Sequence, residues 1–157
     1  MRDDIDLSRR RVRAWLRLLR VTRQTENHLR EFLRVHHKTT LPRFDVMAAL
    51  HRAGAPMKMS DVSRQLLVSN GNATTVVERL ENDGLARRIP GTQDRRVVMV
   101  ELTARGRAEF EAQAEGHAVE IDQLFAGLDP SDLDHLRDLT RRIDGSGNSH
   151  RPNHGRT

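Results

Sequence analysis

Ser69-Asn70-Gly71-Asn72-Ala73-Thr74-Thr75-Val76-Val77-Glu78-Arg79-Leu80 sits at the centre of the stretch that decides the fold, Met57 to Leu102. Ser69 is a good N-cap, because its hydroxyl can accept from a free backbone N–H of the first turn. Ala73, Val76, Val77 and Leu80 then recur at helical spacing, so a helix is expected from Ser69 to about Asp83, with Gly84 as its C′ residue. Just before it, Ser60 to Leu67 reads as a shorter helix with Val62, Leu66 and Leu67 inward. Just after it the period changes to two. Leu85-Ala86-Arg87-Arg88-Ile89 and Val97-Val98-Met99-Val100-Glu101-Leu102 read as strands, broken by Pro90-Gly91-Thr92-Gln93.

Outward from this stretch the chain is helical. Leu41-Pro42 opens a short helix through Phe44, Val46, Met47, Ala48, Leu50 and His51, since proline costs little in a first turn, and Gly54-Ala55-Pro56 ends it. Upstream, Ser8 to about His37 is one long pattern with Val12, Trp15, Leu16, Leu19, Thr22, Glu26, Leu29, Phe32 and Leu33 on one face. A helix of that length runs on the order of 45 Å, more than a small lobe covers, so it is expected to pack against a second subunit. Downstream, Thr103 caps a helix to about Gly127 bearing Phe110, Ala114, Ala118, Ile121, Leu124 and Phe125. Asp129-Pro130-Ser131 restarts a last helix with Leu133, Leu136, Leu139 and Ile143. From Gly145 the chain has no apolar residue to fold around and is expected to be disordered.

Composition narrows the function classes. The chain has 157 residues, enough for one domain with a core, and 36% are hydrophobic against 31% charged. Lys+Arg is 27 against Asp+Glu 22, a formal +5. Lys38 and Lys58 are the only lysines; arginine carries the rest and is the better fork for phosphates and base edges. A nucleic-acid partner suits this balance, and so does a genome that simply prefers arginine codons. There are no cysteines, which excludes disulfides, thiolate metal sites and thiol redox sensing. No apolar run approaches a membrane span, and Met1-Arg2-Asp3-Asp4 lacks the pattern of a signal peptide. A cytoplasmic protein without membrane attachment is expected.

The chemistry points to binding rather than catalysis. A phosphate-cradling glycine loop, a nucleophile elbow and a zinc-hydrolase helix are all missing from the sequence. His28, His36, His37, His51, His117 and His135 show no tight ligand spacing, so neither a metal nor another cofactor is expected. The fold class is mainly α with a small β-wing: a winged helix-turn-helix lobe plus a helical dimerisation region. In such a lobe the second helix of the motif enters the major groove N-terminus first. Asn72, Thr75 and Arg79 align on its outer face, where asparagine can pair with adenine and threonine can touch a thymine methyl or a phosphate. Ser69, Asn70 and Thr74 cluster at its start; a polar turn and cap would explain these residues equally well. At the hairpin tip Asp94, Arg95 and Arg96 suit a minor groove, with Asp94 orienting a guanidinium; a solvated charge run is the bland alternative.

Val68-Ser69-Asn70-Gly71-Asn72, Leu80-Glu81-Asn82-Asp83-Gly84-Leu85 and Asp94-Arg95-Arg96 followed by Leu102-Thr103 together resemble the MarR family of bacterial transcription regulators, over about Leu16 to Ile143. The resemblance implies a homodimer. It assigns 1–37 and 103–144 to dimerisation helices, 38–102 to the DNA-binding lobe and 145–157 to a tail. It implies double-stranded DNA with a pseudo-palindromic operator as partner, repression released by a small-molecule effector, and a pocket between lobe and dimer region. By position, Ser69, Asn70, Asn72 and Thr75 would face bases and phosphates, and Arg95 and Arg96 would sit in the wing. Lys58 replaces the Thr or Ser that often caps the first motif helix and is a candidate phosphate contact. Thr39-Thr40-Leu41-Pro42-Arg43-Phe44-Asp45 resembles a branch tied to aromatic acids and their coenzyme A thioesters, with Arg17, Arg20 and Arg43 as candidate ligand-binding residues. The competing function is a winged-helix protein-interaction or architectural module without sequence-specific reading.

Overall fold

The computed structural model describes residues 2–66, 70–91, 94 and 96–148, with the backbone alone at 2–5, 70 and 146–148. Helix α1 is Arg2–His37, α2 Leu41–Ala53, α3 Met59–Gln65, α4 Asn70–Asn82, α5 Ala104–Phe125 and α6 Pro130–Asn148. Strands β1 (Met57–Lys58), β2 (Ala86–Pro90) and β3 (Val98–Leu102) form one antiparallel sheet in the order β1-β3-β2. The expected mainly α fold with a small winged sheet is the fold observed.

Three differences from the sequence reading have local causes. Helix α1 starts at Arg2, not Ser8; Asp3, Asp4 and Asp6 lie in its opening turns, where carboxylates favour the positive end of the helix dipole. Met57–Lys58 forms a third strand that two residues could not announce, with Met57 opposite Val100 and Lys58 opposite Met99. Helix α6 continues to Asn148, so the expected disorder from Gly145 is corrected for 145–148. No proline interrupts there, and each glycine costs only about 1 kcal/mol once a helix is propagating. The rest of the tail call, 149–157, lies outside the described residues.

Contacts divide the chain into two compact units, 1–120 and 121–157. In the first, Leu33, Phe44, Val46, Met47, Leu50, Met57, Val62, Val77, Leu80, Leu85, Val100 and Phe110 form a common buried cluster. Helix α5 joins it through Phe110, whose ring centroid lies 5.4 Å from that of Phe44, while His117 stacks on Phe44 at 4.4 Å. Burial against these rings lowers the pKa of His117. His28 pairs with Glu120 at 2.5 Å and His51 with Glu111 at 3.2 Å, so these histidines tie α1 and α2 to α5. Within α1 only Leu29 and Leu33 of the expected stripe are buried; Val12, Trp15 and Leu16 are more than half exposed. In the second unit Asp129 and Asp132 cap α6 reciprocally, each backbone N–H donating to the other's carboxylate. Leu133, Leu139 and Ile143 of that helix are exposed.

Candidate nucleic-acid interface

Helix α4 is fixed from behind and from its C-terminal end. Ala73, Val77 and Leu80 are at most 1% exposed, which seats its inner face in the core. Its end is a Schellman turn: the Leu85 N–H donates to the Leu80 carbonyl at 2.8 Å and the Gly84 N–H to the Glu81 carbonyl at 2.9 Å. Gly84 takes φ +70°, the left-handed conformation the motif requires. Arg43 of α2 pairs with Asp83 at 2.5 Å. On strand β2, the Arg88 N–H donates to Glu81 Oε1 at 3.0 Å and its guanidinium lies 3.2 Å from Glu81 Oε2. Arg87 pairs across the sheet with Glu101, its register partner on β3. These pairs hold the base of the wing at a set distance from α4.

The outer face of α4 is left open. Asn72, Thr75 and Arg79 are exposed, whereas Thr74 is half-buried. The Thr75 hydroxyl donates to the Gly71 carbonyl one turn back at 3.1 Å, so toward a partner it offers lone pairs and a methyl group. Asn70 is the first residue of α4; its side chain, and all of Ser69, lie outside the described residues. Lys58 occupies the N-cap position of α3 without capping it and is exposed. In the wing, Asp94 caps the turn. Its carboxylate accepts the Arg96 backbone N–H at 2.9 Å, while the Val97 N–H donates to the Asp94 carbonyl and the Gly91 N–H to the Val97 carbonyl. Asp94 therefore shapes the turn, and the exposed Arg96 side chain has no carboxylate partner among the described residues. Arg95, Thr92 and Gln93 lie outside the described residues.

A cavity of about 320 Å³ adjoins the same face, lined by Pro42, Asp45, Val46, Leu66, Asn72, Ala73, Thr75, Val76 and Arg79. Arg17, Arg20 and Arg43, the expected ligand residues, are not among its lining. Arg43 is engaged with Asp83, and Arg17 and Arg20 stand in solvent on α1. Asp45, which the sequence reading passed over, is the notable wall residue. Removal from water pushes its carboxyl from 3.8 up to about 6, and the negative charge of Glu26 on α1 adds to the shift. No single-sequence signal marks this, because Glu26 and Asp45 meet only when α1 packs on α2. Among the described residues no three His, Cys, Asp or Glu side chains converge as metal ligands, and no helix is long and apolar enough to cross a membrane.

The Asp45 shift sets a pH dependence. The folded pKa is raised, so between about pH 4 and pH 6 the folded chain holds a proton that the unfolded chain has lost. Stability therefore falls as pH rises through that window and stays lower above it. Asp45→Asn removes the penalty. The variant is expected to melt higher than the parent at about pH 8 and level with it at about pH 4; equal melting temperatures at both pH values would show that Asp45 carries no penalty.

The winged lobe is the part that known proteins share. A MarR family model matches residues 39–98. The chain is 32% identical over 110 residues to the HTH-type transcriptional regulator PecS of Dickeya dadantii, a match covering 69% of this chain and 66%, just under two thirds, of PecS. Its fold superimposes on AbsC, a MarR family transcriptional regulator from Streptomyces coelicolor, with a TM-score of 0.79 at 26% identity, covering 87% of this chain and 93% of AbsC. It also matches Bordetella bronchiseptica BpsR, whose DNA binding is regulated by 6-hydroxynicotinic acid, with a TM-score of 0.72 at 26% identity over 81% of this chain and 89% of BpsR. The winged sheet, the Schellman-ended α4 and these matches agree: the chain belongs to the MarR family.

Proposed function

We propose that this protein is a homodimeric, sequence-specific DNA-binding transcription regulator, a repressor released from a pseudo-palindromic operator by a small anionic aromatic ligand. The observation that carries the reading is the contrast in charge pairing around α4. Arg87, Arg88 and Arg43 are spent on carboxylates inside the lobe, whereas Lys58, Arg79 and the Arg96 guanidinium have no protein partner among the described residues. Cations left free on one lobe beside an exposed Asn72 and Thr75 suit phosphates flanking a base-reading helix. The exposed apolar positions of α1 and of α6 support the dimer, with an interface above roughly 2,000 Å² in total.

The effector reading rests on the cavity beside the outer face of α4. Its size is at the lower end of small-molecule sites, which favours a free aromatic acid over its coenzyme A thioester. Arg79 would take the anionic group and Asp45 a hydrogen-bond donor of the ligand. Asn72 and Thr75 line the same cavity, so an occupant would touch the residues that read DNA. BpsR offers a parallel, since 6-hydroxynicotinic acid is an aromatic acid with a ring donor. Linkage requires that the ligand bind free protein more tightly than DNA-bound protein by the factor it weakens DNA binding.

The test is binding to the DNA upstream of the protein's own coding sequence against random duplex over a range of salt. Preference for the upstream duplex is expected, and Arg95→Ala or Arg96→Ala should each weaken binding and flatten the salt dependence by about one unit of slope per lost phosphate contact. Equal affinity for both duplexes in the parent would favour an architectural role. Benzoates, hydroxycinnamates and their thioesters, titrated into the same assay, test the effector class.

A further inference from the structure

Helix α1 carries a second concentration of positive charge that the lobe does not use. Residues 7–25 contain seven arginines and no Asp or Glu. Arg9, Arg10, Arg11, Arg17, Arg20 and Arg23 make no hydrogen bond or ion pair among the described residues, and all are exposed. Arg13 has one loose contact, 3.9 Å from the exposed Asp6. Arg10, Arg11, Arg13 and Arg17 line one shallow groove along the helix, with Asp6 as its one carboxylate.

Helical geometry sorts these side chains into a face. Arg9, Arg13, Arg17 and Arg20 follow one another at steps of four, four and three, so they form a row about 16 Å long. Val12, Trp15, Leu16 and Leu19 form their own row about 100° around the helix. A second copy that covers the apolar row leaves the arginine row facing outward. Keeping four guanidinium groups together with only the loose Arg13–Asp6 contact raises their mutual repulsion, and a polyanion relieves it. Arginine forks match phosphate oxygens bidentately. A lipid surface would need the apolar row as its inserted face, which competes with the dimer; a phosphate backbone needs only the charged row.

We propose that the Arg9, Arg13, Arg17 and Arg20 face of α1 is a second, sequence-independent site for double-stranded DNA, held through its phosphates and separate from the α4 and wing surface. The choice of DNA rests on the reading of the lobe as DNA-binding. Along α1, Arg9 to Arg20 lie about 9–25 Å from Glu26, where the helix meets α2 beside the cavity. A dimer would thereby hold an operator with its lobes and a further stretch of duplex with α1, which suits looping or bridging of DNA.

The experiment uses the full chain saturated with a short unlabelled upstream duplex, to which a fluorescent random-sequence duplex is added. Parent protein is expected to capture the second duplex, with affinity falling about a hundredfold between about 50 and about 200 mM salt, as four phosphate contacts require. The combined Arg9→Gln, Arg13→Gln, Arg17→Gln, Arg20→Gln variant should lose that capture while binding the short upstream duplex as before, and the corresponding lysine variant should keep most of it. Four results overturn the proposal: no capture by the parent, undiminished capture by the glutamine variant, dissociation of that variant into monomers in sedimentation, or preference of the parent for phosphatidylserine vesicles over DNA. The third result would assign the arginines to the acidic stretch 103–144 of a second copy, where ten carboxylates face five arginines. Failure of the lobe is read separately, as loss of preference for the short upstream duplex.

Discussion

Gly106→Ala is expected to be the most damaging glycine-to-alanine change among the described residues. A Cβ at position 106 would stand 1.8 Å from the Leu85 carbonyl oxygen and 2.7 Å from its carbon. Both atoms are backbone, so no side chain can swing away. The backbone cannot shift cheaply either, because the junction is knotted. The Thr103 N–H donates to the same Leu85 carbonyl at 3.1 Å, the Thr103 hydroxyl donates to the Gly84 carbonyl at 2.7 Å, and the Gly106 N–H donates to that hydroxyl at 3.0 Å. One threonine thus caps α5 and pins it to the turn that ends α4. Overpacking against fixed backbone is expected to cost about 3 kcal/mol or more, lowering the melting temperature by about 10 °C. Gly127→Ala is the control, since a Cβ there meets nothing within 4 Å. Equal melting temperatures for the two variants would mean that α5 slides freely on the turn and that the junction is not a fixed point of the fold.

The second large effect is on DNA discrimination. Asn72→Ala and Thr75→Ala alter exposed positions on the face of α4 opposite Ala73, Val77 and Leu80, so melting temperatures should hold. If Asn72 reads a base edge, its truncation should remove about 1–3 kcal/mol of preference for the upstream duplex over random DNA. The Thr75 effect is expected to be smaller, because its hydroxyl hydrogen is engaged by Gly71 and a methyl contact to thymine remains its main route to specificity. Equal losses on both duplexes would make the two residues phosphate contacts. Asn72 and Thr75 also line the Asp45 cavity, so the same variants should alter the response to an effector; Asp45→Asn separates these roles, since Asp45 lines the cavity from α2 and lies off the α4 face.

Sequence by itself determined the elements whose code is local. The period-3.6 rows in α1 and α4, the proline that opens α2, the glycines after α2 and α4, and the alternation of β2 and β3 were all legible, because each is set by the residue's own backbone preference or by neighbours three and four positions away. The family motif was legible for a related reason: Gly84, Leu85 and Thr103 are residues that a close crossing of α5 over the α4 turn demands. The same reasoning placed Asn72, Thr75 and Arg79 on one exposed face, where the structure has them.

Tertiary structure alone decided the rest, because it depends on which distant residues meet. The sequence offers Arg43 as a ligand-binding cation, and the fold pairs it with Asp83, forty positions away. The raised pKa of Asp45 exists because the fold withdraws it from water and α1 brings Glu26 alongside. Two-residue β1 forms only because β3 presents an edge to it. In each case the energy lies in a charge or a hydrogen bond whose partner is remote along the chain, and a pattern read along the chain does not contain that distance.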